Sequence, residues 1–267
     1  MKVAIVGGTG FVGTNLAKQF DNPLIISSNN FSDINKIKNY DVVINLAGKP
    51  IVKRWSKTYK KLLYSSRIET TKEIVKIINN SNVKHFISTS AIGYYSNPCV
   101  CDEFDKKGQG FLSDLAQDWE NEALKCNKPT TIFRFGVVLG DGGALKKMLL
   151  PFKLGLGGKV GKGSQMFSWI DIKDVVDIYK FIIDNKITGI LNLSAPESVS
   201  NTEFTKTLGK VLNRMTILPM PEFVLKIIFG EASEVFLSNQ DMKPKKLLEL
   251  GYNFKYSNLE KSLRSLI

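Results

Sequence analysis

Residues 7–13 read Gly7-Gly8-Thr9-Gly10-Phe11-Val12-Gly13, and this string has the spacing to hold a diphosphate. Gly7, Gly10 and Gly13 fit G-x-x-G-x-x-G, while Gly8, Gly10 and Gly13 fit G-x-G-x-x-G. One glycine permits a tight turn, another lets bare backbone approach a pyrophosphate, and the last lets helix and strand pack closely. The phosphates then meet the free N–H groups of a helix N-terminus, here those near Thr9, Phe11 and Val12. The motif means this only between a strand and a helix. Both are expected: a β-branched run at 2–6 precedes it, and apolar residues at helical spacing follow from Phe11 to Phe20. An incidental glycine-rich turn is the alternative.

The end of the second expected strand decides which dinucleotide fits. An Asp or Glu there would hold a ribose 2′-hydroxyl and repel a 2′-phosphate. The chain has Ser27, Ser28, Asn29 and Asn30 instead, which offer hydrogen bonds and no repelling charge. NADP is therefore expected over NAD, although the arginine common at NADP sites is missing.

These groups need a scaffold. Strands are predicted at 2–6, 24–26, 42–46, 83–88, 130–135 and 189–193, with helices at 11–20, 68–79, 110–124 and 169–181. The alternation predicts a Rossmann-type α/β fold, a doubly wound parallel sheet with right-handed crossovers. Residues 141–168 are glycine-rich without a regular pattern, and short helical segments broken by prolines follow Pro196. We assign residues 1–140 and about 169–195 to the NADP-binding domain. Residues about 141–168 and 196–267 form a smaller, C-terminal substrate-side domain.

The balance of 43% hydrophobic and 23% charged residues excludes a disordered chain. No apolar run reaches the ~20 residues of a membrane span, and the start lacks the ~7–15-residue apolar core of a signal peptide. The formal charge of +12 comes from 32 Lys and only 5 Arg, spread along the chain. Nucleic-acid readers favour clustered Arg, so no nucleic-acid or membrane partner is expected. Cys99, Cys101 and Cys126 are too few for a zinc site and read as reduced thiols of a cytoplasmic protein. His85, the only histidine, stands at a strand start, which leaves a Ser–His–acid hydrolase without support. Asp171 and Asp174 read as helix-capping residues, and no metal is expected.

Further strings carry a resemblance. They are Asn45-Leu46-Ala47-Gly48, Arg54-Trp55, Ser66-Arg67, Ser88-Thr89-Ser90-Ala91, Gly93-Tyr94-Tyr95, Asp118-Trp119-Glu120, Arg134-Phe135-Gly136-Val137-Val138, Pro151–Gly158, Ser168-Trp169-Ile170 and Asn192–Pro196. With the glycine turn they resemble the extended short-chain dehydrogenase/reductases, and among these the atypical "epimerase family" (NAD-dependent epimerase/dehydratase-like, sometimes labelled cell-division inhibitor). The resemblance runs from about residue 1 to about 260. It implies a Rossmann fold, NADP, and an unsettled substrate. It implies cofactor contacts from Leu46, Ala47, Gly48, Ser88, Thr89, Arg134, Gly136 and Val138. Arg67 would touch cofactor or substrate, or merely pair with a surface carboxylate. Gln165, Ser168 and Trp169 would wall the substrate pocket. Asp171 stands where the family often has His.

Such reductases use Tyr-x-x-x-Lys, the lysine lowering the tyrosine pKa so that the phenol can move a proton. No tyrosine here has a lysine four residues on, and counting back from Glu120 puts Leu112 and Ala116 at the dyad positions. The substitutes are Ser90, where the resemblance places the active-site serine, and Tyr94 and Tyr95. Either phenol could donate a proton beside a cation; either could instead pack on the nicotinamide. Two functions follow: an NADP-dependent oxidoreductase or epimerase-like enzyme on a small molecule, or a non-catalytic NADP-binding redox sensor.

Overall fold

The computed structural model describes residues 1–267. Its centre is built by β-branched runs. β1 (Val3–Val6) leads through the glycine turn into α1 (Phe11–Ala17), then β2 (Leu24–Ile26), a 3-10 segment (Phe31–Asn39) and β3 (Val42–Asn45). α2 (Lys57–Ser65), α3 (Ile68–Asn79), β4 (His85–Ala91), β5 (Cys99–Cys101), α4 (Phe111–Ala123), β6 (Thr130–Phe135) and β7 (Val137–Leu139) follow. Next come α5 (Gly143–Lys153), β8 (Met166–Phe167), β9 (Trp169–Asp171), α6 (Ile172–Asp184), β10 (Gly189–Leu193), β11 (Val199–Ser200) and α7 (Asn201–Leu212). The chain closes with α8 (Glu222–Phe229), α9 (Glu234–Leu237), β12 (Gln240–Met242), α10 (Lys245–Glu249) and α11 (Leu259–Leu266).

Six strands form one parallel sheet in the order β10-β6-β4-β3-β1-β2. Its strands are buried on both faces, and β1 and β2 are wholly apolar for that reason. In β1, Val3 and Ile5 enter the core under α6, while Ala4 and Val6 enter the core under α3. The chain leaves β1 towards β2 on one side and β3 on the other, so a crevice opens at their carboxyl ends. The Rossmann-type expectation is thus met. No helix is long and apolar enough to cross a membrane.

Three local readings need correction. Residues 169–171 are strand β9, not helix; Asp171 then caps α6, its Oδ1 accepting from Lys173 N at 2.8 Å. The glycine-rich stretch hides α5, whose Leu145 and Phe152 are buried against Trp169, Phe204 and Leu263. Cys99 and Cys101, read as separate thiols, bring their sulfurs together on one face of β5. Residues i and i+2 of a strand share a face, and their Cα atoms lie 5.6 Å apart. Cys126 stays free. β5 pairs with β12, which clips the C-terminal segment onto the loop after β4.

Candidate functional site

The turn after β1 is made of contacts only glycine allows. Gly7 has φ 82°, and a Cβ there would sit 2.7 Å from the Leu46 carbonyl carbon. A Cβ on Gly13 would meet Gly8 Cα at 2.6 Å and Gly7 O at 2.7 Å. Gly10 N donates to Gly7 O at 3.0 Å, closing the turn. No side chain caps α1 and its first turn holds no carboxylate, so the leading N–H groups are left to ligand or water.

A cavity of about 480 Å³ opens above this turn. Gly7, Thr9 and Gly10 floor it, Ser27 and Ser28 close one end, and Leu46, Ala47 and Gly48 form a wall. Lys49 is the one cation in its lining, and no carboxylate lines it. Phe11 and Val12, named from the motif, open α1 beside it. The serines differ. Ser27 donates its hydroxyl to Asn30 Oδ1 at 2.9 Å, and Asn30 Nδ2 donates to Ile25 O at 2.9 Å, so this pair shapes the loop. Ser28 makes no hydrogen bond within the protein and faces the cavity.

The wall is held from beneath. Asn45 Oδ1 accepts from Ala47 N at 3.1 Å, and its Nδ2 donates to Thr71 Oγ1 at 2.9 Å. Thr89 Oγ1 donates to Asn45 O at 2.8 Å, while Ser88 Oγ is buried without a partner. Thr89 thus braces the wall instead of lining the cavity. Arg67 packs against Gly48, where a Cβ would lie 3.2 Å from its Cζ. Its guanidinium donates only to carbonyls and one hydroxyl, chiefly Lys49 O at 3.0 Å, and stacks on Trp119 at 5.2 Å. No carboxylate pairs with it, and burial lowers its pKa to about 10. It is not the surface ion pair weighed as an alternative.

Beyond the β4 end lies a buried polar chain. Ser90 Oγ donates to Glu120 Oε1 at 2.6 Å. Glu120 accepts from Arg134 Nε and Nη2, and Arg134 Nη1 donates to Tyr95 Oη at 2.9 Å. Tyr95 Oη donates to Asn192 Oδ1 at 2.7 Å, and Asn192 N donates to Glu103 Oε1 at 2.9 Å. Arg134, expected against the cofactor, is therefore engaged inside the protein. Tyr95 is also turned inward, its phenol pushed up to about 12 by burial. Neither it nor Ser90 presents a free hydroxyl. Tyr94 does: its ring lies 3.4 Å from Arg134 Cζ, it is half-buried, and its Oη has no protein partner. The 3-10 turn Ile92–Tyr94 separates the fates of the two neighbouring tyrosines.

The second-region residues are tied into the frame. Trp169, expected in the pocket wall, is 1% exposed within the core under α5 and α7. Ser168 Oγ donates to Gln240 O at 2.7 Å and accepts from Met242 N at 2.9 Å. Gln165 Nε2 donates to Val160 O at 3.0 Å. Gly136 lies against Ser168 O, and Val138 pairs with Ile170 in the β7–β9 ladder. All five are engaged in contacts within the protein frame. Gln240 was not foreseen. Its Nε2 donates to Tyr95 O at 3.0 Å and Ser96 O at 3.1 Å, fixing the loop that carries Tyr94. Only its place in space reveals it.

A second cavity of about 420 Å³ lies between that loop, α4 and α9. Gly93, Leu112, Asn97, Lys107, Gln109 and Glu234 line it. Leu112, at the position counted for the dyad tyrosine, does face a cavity; Ala116 is buried. His85 Nε2 meets Thr131 Oγ1 at 2.8 Å inside the sheet, as a structural residue does. Asp174 accepts from Lys255 N and Tyr256 N, and Asp171 from Ser262 Oγ; burial raises both carboxyls.

This sheet, turn and crevice define a Rossmann-type α/β protein of the short-chain dehydrogenase/reductase kind. Comparison narrows the class. The model of the "NAD dependent epimerase/dehydratase family" matches residues 3–194, and a "Domain of unknown function (DUF1731)" matches residues 220–266. The chloroplastic epimerase family protein SDR39U1 homolog of Arabidopsis thaliana is 36% identical over 301 residues, covering 100% of this chain and 87% of that protein. Epimerase family protein SDR39U1 of Mus musculus is 35% identical, with 100% of both chains covered. The crystal structure of human epimerase family protein SDR39U1 (isoform 2) with NADPH superposes with a TM-score of 0.90 at 32% identity, covering 100% of this chain and 99% of that one. The chain belongs to the NAD dependent epimerase/dehydratase family.

Proposed function

We propose that this chain binds NADPH across the glycine turn and acts as an oxidoreductase or epimerase-like enzyme on a small polar molecule. One observation carries the reading: an uncapped helix start, reached through backbone that no Cβ could share, opens on a cavity without a carboxylate. The human relative was solved with NADPH, which supports the same cofactor here. The turn would hold the diphosphate on its N–H groups. Ser28 would meet the 2′-phosphate, and Arg67, a half-buried cation without a carboxylate, would add positive charge to the wall.

When bound, NADPH supplies a hydride; the protein supplies orientation and electrostatics. Reduction of a carbonyl also needs a proton. Among the three candidates Ser90, Tyr94 and Tyr95, Tyr94 alone has a hydroxyl without a protein partner, so its Oη is the atom we assign to that transfer. Ser90 and Tyr95 act through Glu120 and Arg134 as positioning residues. The second cavity, polar except for Leu112 and the ring of Tyr95, is the place for the substrate.

Titration of the purified protein with NADPH and NADH, read by nicotinamide fluorescence, tests the cofactor claim. Tighter NADPH binding is expected, and equal affinities would defeat the 2′-phosphate argument. A screen of carbonyl compounds and sugar nucleotides for NADPH oxidation, with Tyr94→Phe alongside, tests the chemistry. Turnover unaffected by Tyr94→Phe removes that assignment. One feature supports a second reading, a non-catalytic NADP-binding redox sensor: no tyrosine has a lysine four residues on, and the positions counted from Glu120 hold Leu112 and a buried Ala116. Tight binding with no turnover across the screen would select it.

A further inference from the structure

A surface far from the glycine turn is both apolar and basic. Between residues 142 and 170 stand five lysines and no carboxylate, and between 204 and 221 three cations and no carboxylate. The fold brings these stretches together. Met220 N donates to Lys159 O at 2.8 Å, Gly161 N donates to Met220 O at 2.9 Å, and Arg214 Nε donates to Lys153 O at 3.2 Å. Gly158 lies so close to the Leu218 carbonyl that a Cβ has no room. Of the eight cations only Lys210 is paired, with Glu260 at 2.9 Å. Over the whole lobe, residues 141–168 and 196–267, the net charge is +6, half of the chain's +12.

The same lobe exposes large apolar side chains. Met215 is 75% exposed and Ile217 74%, on the loop before α8. Leu150, Leu154 and Leu156 are exposed at the end of α5. α8 follows from Pro221 and buries only Leu225, leaving Phe223, Ile227 and Ile228 outward. Isolated exposed leucines are ordinary, but so many large apolar side chains exposed within one lobe mark a binding surface. Beside it a cleft of about 340 Å³ is lined by Lys159, Lys206, Thr202, Thr205 and Thr216, with the exposed Ile217. Two ammonium groups and threonine hydroxyls suit a phosphodiester.

We propose that this lobe docks the protein on the surface of an anionic lipid bilayer, with Ile217, Met215 and α8 entering the headgroup boundary and the Lys159–Lys206 cleft taking a lipid phosphate. This departs from the expectation of no membrane partner, which rested on the lack of a spanning segment. Charge selects the occupant. A second copy of the chain would set one basic face against another. A nucleic acid would be met by clustered arginines and several stacking aromatics, whereas this patch has one of each, Arg214 and Phe223, among lysines and aliphatic side chains. Aliphatic residues inserted among lysines are the pattern of a peripheral membrane contact.

The test is co-sedimentation of the full chain with vesicles of phosphatidylcholine alone and of phosphatidylcholine mixed with phosphatidylglycerol. Binding is expected only with the anionic lipid, and raised salt should weaken it. Lys159→Ala and Lys206→Ala should each lower the partition coefficient about fivefold. Ile217→Ser combined with Ile227→Ser should reduce binding further, at any salt. NADPH titration and thermal unfolding of each variant verify that the fold is intact. No association with anionic vesicles overturns the proposal. Equal association with neutral vesicles overturns it, as does binding that survives all four substitutions. Self-association abolished by Ile217→Ser, without vesicle binding, assigns the patch to a second copy instead.

Discussion

The carboxylate of Glu120 and the guanidinium of Arg134 pair through two hydrogen bonds, Nε to Oε1 at 2.8 Å and Nη2 to Oε2 at 2.7 Å, with each side chain 2% exposed. The pair joins α4 to β6 at the floor of the candidate substrate region, and Ser90 and Tyr95 hang from its two ends. Truncating one partner strands the other charge without water. Glu120→Ala or Arg134→Ala should therefore cost about 3–5 kcal/mol in urea unfolding. The double variant Glu120→Leu/Arg134→Met should cost much less than the sum of the two single changes, because no lone charge remains. Additive losses would show that the two residues do not act as a pair.

The only histidine gives the chain a pH signature. His85 is buried, and burial lowers its pKa below the ordinary 6.5. An unfolded chain thus takes up a proton at His85 more readily than the folded one. Stability from this residue is complete above pH 6.5 and is lost as pH falls from there through the folded value. His85→Gln, which can still reach Thr131 Oγ1, should flatten the difference in unfolding free energy between pH 7.5 and about pH 5.5. The buried carboxyls Asp171 and Asp174 are raised and so act in the opposite sense, but they are common to both proteins. An unchanged slope would place the acid sensitivity elsewhere.

What could be read in the sequence was local. Val3–Val6 and the glycines after it declare strand, turn and helix within eleven residues, and each group needs only its neighbours. The Trp169–Phe181 rhythm misleads because β9 passes into α6 through a single residue, Asp171, with apolar Ile170 and Ile172 on either side of it. α2 escapes notice because it buries only Leu63, too little to make a stripe. The polar chain at the β4 end was out of reach for another reason. Bonded partners among Ser90, Glu120, Arg134, Tyr95 and Asn192 lie up to 97 residues apart along the chain, and only their folded contacts turn Arg134 from cofactor ligand to Glu120 partner. Tyr94 and Tyr95 are the same residue type in adjacent positions. A single 3-10 turn decides which phenol is buried.

The two serines after β2 make separable predictions about cofactor choice. Ser27 is spent on Asn30, so its replacement should disturb the loop and weaken both nucleotides alike. Ser28 faces the cavity without a protein partner. Ser28→Asp places a negative charge where a 2′-phosphate would lie and an acceptor where a ribose hydroxyl would lie. NADPH affinity should fall at least about tenfold, equivalent to about 1.4 kcal/mol, while NADH binding holds or improves. Parallel titrations of the two nucleotides check this. A uniform loss for both would mean that the 2′-phosphate sits elsewhere.

Arg67 offers a trade between stability and binding. Its guanidinium is held by carbonyls and a tryptophan face, with no carboxylate to balance it. Burial has brought its pKa down to about 10 from 12.5, so the folded state is penalised for carrying that charge at every pH below about 10. A cation kept at this cost beside the Gly48 wall makes sense if an anion repays it. Arg67→Met fills the same space without charge. Without nucleotide, its thermal midpoint should equal or exceed that of the parent, although Lys49 O and Leu63 O lose a donor. With NADPH, its affinity should drop about tenfold or more, because a desolvated cation contributes more than an exposed one. Loss of stability with unchanged NADPH affinity would make Arg67 a structural brace for the 48–49 turn and remove it from the cofactor site.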